Sequence, residues 1–160
     1  MNRSETSPPN LSEAYHRLSS SKYSIAIIDD HSIIRAVFRS LAEDDDQLEM
    51  IWCAKSLAEG RAALHNKEPD LLILDVSLPD GLGYEILPYL NEKHPNTKVL
   101  MVSSHEEREF SQKAHEMGAK GYLTKNSSLN DLTVAIHHIL NDKKYFRPEV
   151  LVRQGAALNS

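Results

Sequence analysis

The sequence predicts one doubly wound α/β sandwich with a parallel five-stranded sheet. Three observations point there. Short apolar runs and helix-period patterns alternate five times between residues 24 and 142, the order that parallel strands with helical crossovers require. The runs 25–28 and 71–74 are apolar without alternation, as in strands covered by helices on both faces. A length of 160 residues suits one domain with a real core and is short for two.

The elements follow in order. Residues 1–22 are rich in Ser and Pro and read as a flexible arm, in which Leu11, Tyr15 and Leu18 line one face of a helix too short to be stable alone. "SIAII" (24–28) is the first strand, and 32–44 the first helix, with Ile33, Ile34, Val37, Phe38 and Leu41 at helical spacing. "EDDD" (43–46) reads as a solvated turn. A strand over 48–54 and a helix over 56–67 come next, then a strand over 70–74. A helix is expected over 84–94, where Pro88 removes one donor and bends or shifts it. A strand over 97–104 leads to a helix over 106–118, closed by Gly118 as the residue beyond its C-cap. A strand over 119–125 and a helix over 129–142 complete the unit. Each crossover is right-handed in such a sheet.

Composition narrows the function classes. The chain is 41% apolar and 26% charged, ordinary for a globular protein, and its net charge of −5 offers no general attraction to nucleic acid or anionic membrane. The single cysteine, Cys53, forms no internal disulfide and fits a reducing compartment. With no apolar run long enough to span a bilayer and no secretory signal, a cytoplasmic location is expected, without membrane contact.

In an open parallel sheet, ligands bind beyond the carboxyl ends of the strands, where the strand order reverses. There the first strand delivers Asp29 and Asp30, the third Asp75, the fourth Ser103 and Ser104, and the fifth Lys125. Each has an ordinary structural reading: a helix cap for Asp30, a turn residue for Asp75, a backbone-bonding hydroxyl for Ser103, a surface charge for Lys125. Together they mean more. Like charges about 4 Å apart repel by about 4 kcal/mol at an effective dielectric of 20. Three carboxylates therefore need a counter-charge, and Mg²⁺ with oxygen ligands, beside the fixed Lys125, supplies it.

The motifs "IIDDHSIIR", "LLILDVSLPDGLGYE", "VLMVSSH" and "GYLTK" occur in the order and at the distances of the receiver domain of two-component response regulators, which residues 23–142 resemble. The wording "DDH" and "GYLTK" is closest to the NarL/FixJ branch. The resemblance implies a flavodoxin-like (βα)5 fold with strand order 2-1-3-4-5. It implies that Asp75 accepts a phosphoryl group from a sensor histidine kinase. Mg²⁺ would be bound by Asp30 and Asp75, by Asp29 through water, and by the Ser77 backbone carbonyl. Ser103 and Lys125 would hold phosphoryl oxygens, and Ser103 and Tyr122 would form the switch, biasing the surface over about 106–141. Such a protein is a phosphorylation switch rather than an enzyme.

Other features carry less. His137 and His138 are helix neighbours pointing apart, without the i, i+4 spacing of a zinc helix. His31 and His105 lie near the expected crevice, where either could modulate phosphoryl lifetime, and read more simply as loop residues. "KKYFRPEVLVR" (143–153) contains no helix-turn-helix, so residues 143–160 read as a linker or tail. The branch resembled continues into a DNA-binding output domain, so the expectation is the receiver part of a transcriptional regulator, touching DNA only through a domain absent from this chain. A stand-alone receiver acting by protein contact is the alternative. Phosphorylation-dependent homodimerisation is a family expectation. A flavin-binding sandwich fits poorly, because the first loop, "DDHS", lacks glycines. An aspartyl phosphatase needs a second acid, and Asp80 follows Pro79 in a turn, poorly placed for that work.

Overall fold

The computed structural model describes residues 21–106 and 108–151; the arm over 1–20 and the end of the tail lie outside the described residues. The elements are β1 (Tyr23–Ile28), α1 (Ser32–Glu43), β2 (Leu48–Ala54), α2 (Leu57–Asn66), β3 (Leu71–Leu74), α3 (Leu87–Lys93), β4 (Lys98–Ser103), α4 (Arg108–Glu116), β5 (Gly121–Thr124) and α5 (Leu129–Leu140). The five strands are parallel in the order β2-β1-β3-β4-β5, as expected.

Strand geometry explains the unbroken apolar runs, since successive side chains leave a strand on opposite faces. Ala26, Ile28, Leu72 and Leu74 join one core with Leu57 and Leu64 of α2, Leu87 and Leu90 of α3, and Ala114 of α4. Ile25, Ile27, Leu71 and Ile73 join the other with Phe38 of α1 and Leu132, Ile136 and Ile139 of α5. Each fully buried residue of this size contributes about 1.5–3 kcal/mol. Both faces of β1 and β3 are thus closed, and only their ends meet solvent.

The third helix departs from expectation. Instead of a helix over 84–94, a 3₁₀ turn over Gly83–Ile86 leads into α3, which starts at Leu87. Pro88 then falls in the first turn, where its missing N–H costs nothing. The fourth helix is also shorter than the expected 106–118, spanning Arg108–Glu116, and Gly118 follows it at φ +96°, the left-handed conformation that closes such ends. The acidic turn is tied down: Asp45 Oδ1 accepts from the Gln47 amide at 2.9 Å, and Oδ2 meets His137 Nε2 of α5 at 2.6 Å.

A two-residue antiparallel ladder, Ser77–Leu78 with Gly81–Leu82, shapes the loop after β3. Two constraints fix its path. The Asp80 carboxylate accepts from the Leu57 and Ala58 amides at 2.8 and 2.9 Å, capping α2 from across the loop. Those donors hold its carboxyl below the ordinary value. Gly83 donates to the Val76 carbonyl at 2.6 Å, and a Cβ there would lie 2.0 Å from the Asp75 carbonyl oxygen. Gly83→Ala is therefore expected to displace the Asp75 backbone and to cost about 1–3 kcal/mol, read as a lower denaturation midpoint. An unchanged midpoint would mean the loop yields freely.

Candidate functional site

Sheet order creates the site. β1 lies between β2 and β3, so the crossovers leave its two sides in opposite directions and a crevice opens at the carboxyl ends of β1 and β3. The backbone continues in register there: the Asp75 amide donates to the Ile28 carbonyl and the Asp29 amide to the Ala54 carbonyl, both at 3.0 Å. The two carboxylates are therefore fixed by sheet hydrogen bonds.

Both are buried, Asp29 to 1% exposure and Asp75 to 2%. Lys125, just past β5, has its Nζ 2.8 Å from Asp75 Oδ2 and 3.0 Å from Asp29 Oδ2, so one ammonium bridges two acids. Its amide donates to the Ser103 carbonyl at 2.8 Å, fixing the backbone from which it reaches. Asp30 stands at the half-open rim. Burial is the main reason the Asp75 carboxyl sits above its ordinary value; the hydrogen bond from Lys125 opposes it, the charge of Asp29 adds to it, and Lys125's charge and the Ser77 amide oppose it.

One participant was read otherwise from sequence. His31 looked like a loop residue, yet its Nδ1 lies 2.8 Å from Lys125 Nζ, 2.9 Å from Asp29, 3.4 Å from Asp30 and 3.7 Å from Asp75. The reason is local. His31 is the N-cap of α1 in extended conformation, and residues two apart on extended backbone face the same way. The alternating positions 29 and 31 were the available signal. Asp30, expected as an alternative cap, does not cap α1; the N-cap residue is His31.

One ligand atom from each of Asp29, Asp30, His31 and Asp75 lies within 4.8 Å of the others. Three carboxylates and one ammonium leave a formal charge of −2 (three minus one) among them. Oxygen donors with that charge suit a hard divalent cation, so the residues present fit Mg²⁺.

Ser103 closes β4, the strand beside β3, and is completely buried. Its Oγ accepts from the His105 amide at 3.1 Å. Tyr122 is buried too, with its hydroxyl donating to the His105 carbonyl at 2.6 Å, so its ring lies inward. The His105 ring stacks on Phe110 at 4.3 Å between centroids. Ser77 meets the site through its amide, which donates to Asp75 Oδ1 at 3.4 Å. Thus Asp29, Asp30, Asp75 and Lys125 converge directly, while Ser103 and Tyr122 are joined through His105.

Among the described residues, no helix is long and apolar enough to cross a membrane. The response regulator receiver domain model matches residues 25–137. Among curated proteins, the response regulator GacA of Pseudomonas protegens is 30% identical over 126 residues, covering 79% of this chain and 59% of its own. The oxygen regulatory protein NreC of Staphylococcus carnosus is 29% identical over 127 residues, with 79% and 58% covered. This chain thus spans about three fifths of the length of such relatives. A LuxR-family two-component response regulator from Aurantimonas superposes with a TM-score of 0.75 at 27% identity, covering 88% of this chain and 100% of that one. The isolated REC domain of RcsB from Salmonella enterica, solved with phosphomimetic BeF3⁻, has a TM-score of 0.74 over 81% of this chain and 96% of its own; at 19% identity it speaks for the fold. Fold, strand order and family match agree, with relatives consistent with the NarL/FixJ branch: this chain belongs to the response regulator receiver family.

Proposed function

We propose that Asp75 accepts a phosphoryl group from a phosphohistidine of a sensor histidine kinase. The observation that carries this reading is the Lys125 ammonium held between two buried carboxylates at 2.8 and 3.0 Å. An Asp75 carboxylate oxygen attacks phosphorus, the N–P bond breaks, and the departing imidazole keeps its electron pair and gains a proton. The product is an acyl phosphate. Asp30, Asp75, Asp29 through water and the Ser77 backbone carbonyl would hold Mg²⁺, which would supply charge neutralisation for the transferring oxygens. Lys125 pairs with one phosphoryl oxygen, and Ser103 donates its hydroxyl to another. Ser103 Oγ already accepts from the His105 amide, so a shift of Ser103 toward the phosphoryl group strains that bond, and Tyr122, hydrogen-bonded to the same residue, responds.

Residues 23–142 serve as the receiver, 1–22 as an arm, and 143–160 as the tail leading away. The chain acts in the cytoplasm as a switch, catalysing only its own phosphoryl uptake and loss. By its branch it controls transcription through an output domain that binds DNA; homodimerisation accompanies phosphorylation. Asp80 argues against a turnover phosphatase, since both its oxygens are engaged by the amides of α2. With acetyl phosphate and Mg²⁺, uptake is expected to reach one phosphoryl group per chain and stall. Sustained multiple turnover would point to a phosphatase instead.

A further inference from the structure

β5 is the edge of the sheet, and the chain returns to cover it. After α5 the backbone turns at Asp142, which has φ +63° and an ion pair to Lys98 at 2.6 Å. The Tyr145 amide then donates to the Lys120 carbonyl at 2.8 Å, and the Tyr122 amide donates to the Tyr145 carbonyl at 3.0 Å. Tyr145 thus forms a parallel bridge opposite Gly121. A Cβ at 121 would lie 3.0 Å from the Tyr145 carbonyl oxygen and 2.7 Å from Ile139, so glycine permits the approach.

The next side chains behave as in a strand. Tyr145 packs on the core beneath α1 and α5, and Phe146 on the opposite core, where its ring meets His115 of α4 at 4.8 Å and 73°. Val150 is completely buried. The seal has few polar ties to the sheet. Besides the apolar packing it has two backbone hydrogen bonds at β5, Lys144 Nζ against His115 Nε2 at 3.3 Å and Arg108 on the Glu149 carbonyl at 3.5 Å, while on α4 the buried Ser111 Oγ and His115 Nδ1 find no hydrogen-bond partner among the described residues. Segments held this way open at small cost.

Its attachment is continuous with the site. Ser103 Oγ accepts from the His105 amide, the His105 carbonyl accepts from the Tyr122 hydroxyl, and the Tyr122 amide donates to the Tyr145 carbonyl. We infer that residues 143–151 are a strap occupying the open edge of β5, and that drawing Ser103 toward a phosphoryl group on Asp75 loosens it through His105 and Tyr122. The coupling rests on the phosphoryl-acceptor reading; the strap itself does not. Release uncovers the Tyr122 amide.

Hydrogen exchange of the full chain, followed amide by amide, tests this. At rest the Tyr145 amide should exchange about tenfold or more slower than in an unstructured peptide. Beryllofluoride with Mg²⁺ should raise its rate about tenfold while the amides of 71–76 slow. A Tyr145 amide unprotected at rest overturns the strap, and one equally protected in both states while 71–76 slow overturns the coupling. If 71–76 do not respond, the phosphoryl-acceptor reading itself fails, and a second arm still decides the relay. Ser103→Ala, made without any phosphoryl mimic, should speed Tyr145 exchange and leave the amides of β1 unchanged. An unaltered Tyr145 rate in that variant overturns the link.

Discussion

Replacing Asp75 by Asn is expected to abolish phosphoryl uptake and to make the metal-free protein more stable. The first effect follows from loss of the nucleophilic oxygen's charge. The second follows from the surroundings. Burial above all, with Asp29 adding to it, holds the Asp75 carboxyl above its ordinary value despite Lys125. An acid whose folded pKa is raised contributes stability that is intact below its unfolded value and lost as pH rises through the folded one. At neutral pH in EDTA, wild type thus bears a cost that Asp75→Asn escapes, about 1 kcal/mol on the scale of such relieved sites. The difference should vanish as pH falls below the carboxylate range. Denaturant midpoints across pH check the stability, and radiolabelled acetyl phosphate checks the uptake. Undiminished labelling, or a variant less stable than wild type at pH 7, would defeat the assignment.

Lys125→Met should do the reverse. It removes the ammonium that stands 2.8 and 3.0 Å from two buried carboxylates, leaving no lysine between them. Breaking a buried ion pair from one side costs about 3–5 kcal/mol, because a charge remains buried without compensation. Nearly all of that loss should appear in EDTA. Mg²⁺ should recover part of it, since a cation bound only by the folded state at a hundredfold excess over its Kd contributes about 2.7 kcal/mol. Phosphoryl uptake should fall even with Mg²⁺ present, for want of the group that pairs the second oxygen. A loss under about 1 kcal/mol in EDTA would show that Lys125 behaves as a solvent-screened surface charge.

These two variants separate the opposing forces at one crevice. The sheet holds Asp29 and Asp75 together through main-chain hydrogen bonds, irrespective of their charge. The buried acid and the buried amine therefore act on stability in opposite directions, and each variant reads one sign separately.

The order of strands and helices was legible because burial on both faces leaves apolar runs, and burial on one leaves a helical period. Asp29, Asp30, Asp75, Ser103 and Lys125 were legible because each ends a strand, and parallel strands deliver their carboxyl ends to one edge. What sequence periodicity does not encode is the path of loops and the direction of single side chains. Asp80 seemed an idle turn acid, yet it caps a helix that begins 23 residues earlier in the chain. His31 seemed a loop residue, yet an extended N-cap turns its ring into the acidic cluster. Pro88 shortened its helix by fixing where the first turn had to be.

By itself, then, the sequence determined which residues could meet: the repeating pattern imposed a parallel sheet, and a parallel sheet has one ligand-bearing edge. Tertiary structure alone decided that Lys125 bridges two acids, that Ser103 reaches Tyr122 through His105, and that Tyr145 and Phe146 straddle the last strand. Those contacts join residues distant along the chain, and their geometry depends on packing that no local pattern records.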